Sequence, residues 1–183
     1  MSRIELLTIA GSLRAVSSNR TLLQAAVELA PPEVTIRPSN HLVMLPHFNP
    51  DLDGEARPPA AAAWRVAVGR ADGLLFSTPE YAHGLPGAFK NGLDWLVSDP
   101  ALLHKPIAIW NVSARGTYAT ASLVEILRTM STRIVDEAGV TLPLLDSPLE
   151  LRTLVKTPAL REMLRAALAA FVRAIREHPA YQP

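Results

Sequence analysis

Ile4–Arg20 reads I-E-L-L-T-I-A-G-S-L-R-A-V-S-S-N-R, and the rest of the chain is interpreted outward from it. Ile4–Ala10 is an apolar run of strand length. Gly11 opens a short loop of small hydroxyl residues with one arginine, and a helix starts at about Asn19. The first N–H groups of a helix have no partners inside it, so a strand, a polar loop and a helix start together form a layout that receives a phosphate.

The same alternation continues along the chain. Thr21–Ala30 has helical spacing and stops at Pro31-Pro32. Val34–Pro38 is a short strand, and Pro46–Pro59, rich in proline and acidic residues, is a long surface loop of the kind that often carries function. Ala60–Arg70 is a helix and Gly73–Ser77 a buried strand. Pro86–Val97 is a helix with proline in its first turn. Lys105–Val112 is a strand, Ala119–Met130 an amphipathic helix, Val140–Leu142 the candidate for a last short strand, and Pro158–His178 a long helix. Strict alternation predicts an α/β fold, a five-stranded parallel sheet between two helical layers. The expected strand order is 2-1-3-4-5, the flavodoxin-like three-layer sandwich, in a single domain over residues 1–183. Ligands of such sheets bind at the carboxyl ends of the strands, where the order reverses. That rule selects Gly11–Asn19 after strand one, Thr78–Gly84 after strand three, and the neighbouring Ser113–Tyr118 after strand four.

Bulk properties exclude several functions. The chain has 183 residues, 18 basic and 17 acidic side chains and a net charge of +1. It shows no basic patch for nucleic acid. No apolar run reaches the ~18 residues of a membrane span, and the start reads as a strand rather than a signal peptide. With no cysteine, disulfides, thiolate catalysis and cysteine-based metal sites are excluded, and the expected compartment is a reducing cytoplasm. His41, His47, His83, His104 and His178 lack the mutual spacing of ligands, so no metal site is expected. Trp64, Trp95 and Trp110 are expected in the core or at an interface.

In the first loop, Ser12, Ser17, Ser18 and Asn19 supply hydroxyls and an amide, and Arg14 supplies a forked cation. Capping the helix needs one such residue, and the loop has four plus the arginine. Neither G-x-x-x-x-G-K-[ST] nor G-x-G-x-x-G is present, which sets aside ATP and dinucleotide pyrophosphates. A terminal monophosphate needs no glycine run. In the second loop, Ser77–Leu96, Pro79 and Pro86 stiffen the ends, Gly84 is expected to relieve the middle, and Tyr81 adds an aromatic surface.

G-S-L-R-x-x-S-x-N followed by T-P-E-Y-x-x-x-x-P-G-x-x-K-N-x-x-D-W resembles the NAD(P)H-dependent FMN reductase family, which also includes quinone, azo-dye and chromate reductases. The likeness extends through the K-P-I-A-I-W strand to the closing helices. It implies that Ser12, Arg14, Ser17, Ser18 and Asn19 hold the FMN phosphate. It implies that Pro79, Glu80, Tyr81, Ala82 and Gly84 border the isoalloxazine, largely through backbone groups. Ser113, Ala114, Arg115 and Gly116 would form the other wall. It also implies a homodimer or dimer of dimers that uses the helix carrying Lys90–Leu96. Two departures concern substrate choice: many members have asparagine where Ala82 stands, and many have a glycine-rich loop where this chain has S-A-R-G-T-Y.

The implied activity passes hydride from NADPH or NADH through bound flavin to a small acceptor: free flavin, quinone, azo compound or metal oxyanion. The flavin carries this chemistry, so no catalytic side chain is expected. Glu80 is expected to be a hydrogen-bonding loop acid rather than a base. The alternatives are a flavodoxin-like electron carrier, disfavoured because such carriers are usually strongly acidic, and a non-catalytic flavin redox sensor.

Overall fold

The computed structural model describes residues 3–112, 114, 116–142 and 149–177. Its strands are β1 (Ile4–Ala10), β2 (Val34–Pro38), β3 (Gly73–Ser77), β4 (Pro106–Asn111), β5 (Arg133–Ile134) and β6 (Val140–Thr141). Its α-helices are α1 (Ser18–Glu28), α2 (Pro59–Arg70), α3 (Gly87–Asp94), α4 (Thr117–Thr129), α5 (Leu151–Lys156) and α6 (Pro158–Arg176). The sheet runs β2-β1-β3-β4-β5, every pairing is parallel, and β6 also pairs with β4.

The predicted order therefore holds, with one correction. The last position of the sheet is two short strands instead of one. β5 pairs with the start of β4 (Ile107 beside Ile134), and β6 with its end (Trp110 beside Val140). A 3-10 turn at Asp136–Ala138 separates them, and Trp110 Nε1 donates to the Ala138 carbonyl at 2.8 Å. Two-residue strands carry no readable alternation, so β5 left no pattern in the sequence. The closing helical region is likewise two helices, α5 and α6, divided at Thr157-Pro158.

Successive strand residues face opposite sides of the sheet. Ile4, Leu6, Leu75, Ala108 and Trp110 pack against α1, α5 and α6. Leu7, Ile9, Leu74, Phe76, Ile107 and Ile109 pack against α2, α3 and α4. All three tryptophans are buried, and each indole N–H has a carbonyl partner: Gly92 for Trp64, Pro46 for Trp95, Ala138 for Trp110. Among the described residues, no helix is long and apolar enough to cross a membrane.

The Pro46–Pro59 segment is stapled down rather than loose. Asn91 Nδ2 and Trp95 Nε1 both donate to the Pro46 carbonyl, and the Phe48 N–H donates to Asn91 Oδ1 at 2.7 Å. Farther on, Asp53 accepts from Arg57, Arg65 and Ser98, while Arg65 Nε donates to the Trp95 carbonyl at 2.7 Å. These contacts lead to α2 and the end of α3, which makes the segment a brace on that layer. The hydrogen bond from Ser98, together with the two arginines, holds the Asp53 carboxyl below the usual carboxylate range.

Candidate functional site

The rim where β1, β3 and β4 end is assembled by backbone register. Ala10 lies beside Ser77, and the Gly11 N–H continues the ladder to the Ser77 carbonyl at 2.9 Å. Gly11 is required for close approach: a Cβ there would overlap Thr78 Oγ1 and lie 2.7 Å from Thr78 Cβ. Its φ is not left-handed, so its value lies in lacking a side chain. Gly11→Ala is expected to destabilise the fold by about 1–3 kcal/mol through overpacking and to separate the two loops. Urea unfolding midpoints check the first effect; a wild-type midpoint would refute it.

Beyond Gly11, Ser12 and Ser17 are buried and Arg14 is exposed. Ser17 occupies the N-cap position of α1, yet its side chain makes no capping hydrogen bond. The helix start therefore has no side-chain cap from Ser17 on its first N–H groups. The Ser12 hydroxyl accepts from the Arg14 N–H at 3.3 Å, and Arg20 Nε reaches back to the Ser12 carbonyl at 3.4 Å. Ser18 is exposed at the first position of the helix. Asn19 is buried, and its Oδ1 accepts the Ser77 hydroxyl at 2.8 Å, locking α1 to β3. Only its amide is left to serve an incoming oxyanion.

The second loop corrects an expectation. No described glycine has positive φ, so Gly84 does not relieve the turn. The left-handed residues are Ala82 (φ 49°) and His83 (φ 58°). Tyr81 and Gly84 exchange two backbone hydrogen bonds at 3.0 Å each, closing a two-residue loop with the sign pattern of a type I′ turn. That turn favours Asn-Gly, and a left-handed residue other than glycine costs roughly 1–2 kcal/mol. Pro79, Glu80 and Gly84 are partly buried, whereas Tyr81, Ala82 and His83 face solvent.

The turn is tied to the third loop. Glu80 Oε2 accepts the Ala119 N–H at 2.9 Å, so its charge faces the N-terminal turn of α4, where the helix dipole favours it. His83 stacks on Tyr118, with ring centroids 4.3 Å apart and 18° between planes. Ala114 is exposed and Gly116 is the N-cap of α4. Ser113 and Arg115 lie outside the described residues.

The rim thus brings together Ser12, Ser17, Ser18 and Asn19 with Pro79–Gly84 and Gly116. Thr78 and Tyr118 lie at the ends of loops the sequence selects, but their contacts with Gly11 and His83, and the roles of Arg20 and Ser77, were not foreseen. Arg20 was within the motif, directly after Asn19; the His83–Tyr118 stack joins residues 35 positions apart and left no local signal. The buried hydroxyls and uncapped helix start fit a phosphate monoester. The rigid turn presents backbone groups of the kind that fit the polar edge of a planar ring. Among the described residues, no cluster of three metal-binding side chains occurs.

Comparison with known proteins agrees with this geometry. The family model described as NADPH-dependent FMN reductase matches residues 4–146. An NAD(P)H-dependent FMN reductase of Pseudomonas aeruginosa is 39% identical over 120 residues, 64% of each chain. A quinone reductase of Escherichia coli is 31% identical over 110 residues, 58% of each. The alignments thus span less than two thirds of these relatives' length. Among solved structures, FerB, a flavoenzyme NAD(P)H:(acceptor) oxidoreductase from Paracoccus denitrificans, superposes with a TM-score of 0.83 at 25% identity, covering 96% of this chain and 98% of its own. A WrbA-like flavodoxin from Agrobacterium tumefaciens, at 16% identity and a TM-score of 0.61 over 97% of this chain and 99% of its own, shares the fold. The alternating strands, the hydroxyl-lined loop and the matched span of 4–146 lead to one conclusion: this chain belongs to the NADPH-dependent FMN reductase family.

Proposed function

We propose that the protein binds FMN at this rim and uses it to oxidise NADPH or NADH, delivering the electrons to a small acceptor. The observation that carries this reading is the uncapped start of α1 beside two buried serine hydroxyls, one loop away from a rigid backbone turn. When bound, FMN supplies the hydride-accepting ring chemistry. The chain's own residues bind and orient. Ser12, Ser17, Ser18, the Asn19 amide and Arg14 form the phosphate seat, and Pro79–Gly84 form an edge for the ring. Glu80 is spent on α4, so it anchors the loop and does not act as a base. The relatives' names favour free flavin or a quinone as acceptor; azo compounds and metal oxyanions fall within the same proposal.

The test is spectroscopic. Purified protein with FMN should show a perturbed visible flavin spectrum that bleaches on anaerobic NADPH addition and recovers with a quinone. A spectrum identical to free FMN would overturn the reading. NADPH oxidation without added acceptor protein separates this reductase from an electron carrier, which would show almost none.

Self-association through α3 belongs to the same proposal. Met44 and Val97, respectively 71% and 62% exposed, flank that helix and offer apolar surface to a second copy. Sedimentation showing a monomer at micromolar concentration would refute it. Cytoplasmic residence is proposed with it, since NAD(P)H is the electron source.

A further inference from the structure

We propose that the His83–Tyr118 stack is a clasp that holds the Tyr81–Gly84 turn in its left-handed form, making Tyr118 a positioning residue for flavin binding. This rests on the FMN reading above.

The turn needs holding. Its two central residues have φ of 49° and 58°, and neither is glycine or asparagine. Alanine and histidine at these positions favour right-handed or extended backbone, so the isolated segment would leave the turn. The Tyr81–Gly84 hydrogen bonds define the turn but are its product as much as its cause. Glu80 fastens the chain before the turn, through the Ala119 N–H, and does not constrain residues 82 and 83. Among the described residues, the side-chain contact that reaches the turn itself is the ring stack, His83 on Tyr118, 4.3 Å between centroids and 18° between planes.

Tyr118 has no evident core role. It is 59% exposed in the first turn of α4, a helix that buries Ala119, Leu123 and Leu127 instead. Its packing on His83 fixes the position of that side chain, and through it the left-handed backbone. The same backbone supplies the amide and carbonyl groups offered to the ring. Should the turn relax to negative φ, the peptide planes on either side of Ala82 and His83 would rotate and re-aim those groups. The two loops that flank the rim are thereby coupled through one aromatic pair.

The test measures FMN affinity by flavin fluorescence in wild type and four variants, with no turnover required. Relative to wild type, Tyr118→Ala should raise the FMN Kd roughly 10-fold, about 1.4 kcal/mol, and Tyr118→Phe, which keeps the ring, should stay within about 2-fold. The double variant Ala82→Asn/His83→Gly has the residues a type I′ turn prefers and no stack. Whatever its own FMN affinity, adding Tyr118→Ala to it should change that affinity by less than about 2-fold. Wild-type affinity in Tyr118→Ala would overturn the clasp while leaving the cofactor reading intact. A Tyr118→Ala loss of equal size in the double variant would also overturn it, because Tyr118 would then act by direct contact. Failure of wild type to take up FMN would overturn both readings. Circular dichroism and thermal midpoints close to wild type confirm that each variant is folded.

Discussion

Arg14→Ala is expected to weaken FMN binding by about 2–4 kcal/mol, roughly 30- to 1,000-fold, while leaving riboflavin binding nearly unchanged. Arg14 is exposed at the tip of the Gly11–Asn19 loop, and among the described residues its guanidinium has no hydrogen-bond partner. Its backbone N–H is the group tied down, on the Ser12 hydroxyl. Arg20 contrasts with it: Nε is engaged by the Ser12 carbonyl, so that side chain stitches the loop to α1. An exposed guanidinium beside an uncapped helix start can make forked, charge-assisted bonds to a dianion. Riboflavin lacks the phosphate, which separates a phosphate contact from a general loss of loop structure. Equal losses for both ligands would assign Arg14 to loop stability, and no loss for either would remove it from the site.

The largest effect on stability is expected from the brace under the other helical layer. Asp53→Ala should cost about 3–5 kcal/mol, because it leaves the buried Arg65 guanidinium without its main counter-charge. Arg65 is 9% exposed, and Asp53 Oδ1 lies 2.8 Å from its Nη2. Asp99 at 3.8 Å and the Trp95 carbonyl remain as partial compensation, favouring the lower half of that range. The paired variant Asp53→Leu/Arg65→Met should be more stable than Asp53→Ala alone, since apolar replacement of both partners removes the unpaired charge. Denaturant titrations of each variant measure both claims, and a double variant no better than the single would refute the second.

The same carboxylate shapes the acid limb of stability. Its folded-state pKa lies below the ordinary value, which is near 3.9 in the unfolded chain. Its contribution is therefore fully present above that value and is lost as pH falls through the lower folded one. Asp53→Asn should flatten the pH dependence of unfolding below about pH 4. An unaltered acid limb would show that other carboxylates dominate there.

Much of the fold was legible before any coordinates. β1, β2 and β3 have the boundaries their apolar runs suggested, the parallel pairing follows from strand–helix alternation, and the strand order is the one expected of a five-stranded flavodoxin-like sheet. The split between β5 and β6 was not legible, because two-residue strands have no periodicity of their own and depend on the length of β4. The anchoring of Pro46–Pro59 was not legible for a related reason. Its proline and acidic content marks exposed chain, but Arg65 and Ser98, which hold Asp53 in place, come from other elements.

The amino-acid sequence by itself determined the order of elements, the two apolar faces of each central strand and the hydroxyl-rich loop after β1. These are consequences of periodicity and residue type within short stretches. Tertiary structure alone decided that the Ser17 side chain leaves α1 uncapped, that Gly11 is needed for contact with Thr78, and that Ala82 and His83 rather than Gly84 are left-handed. Each of these depends on which distant group arrives at the same place: Thr78 against Gly11, Ser77 on Asn19, Tyr118 on His83. Contacts of that kind follow from strand register, and local propensity does not encode them.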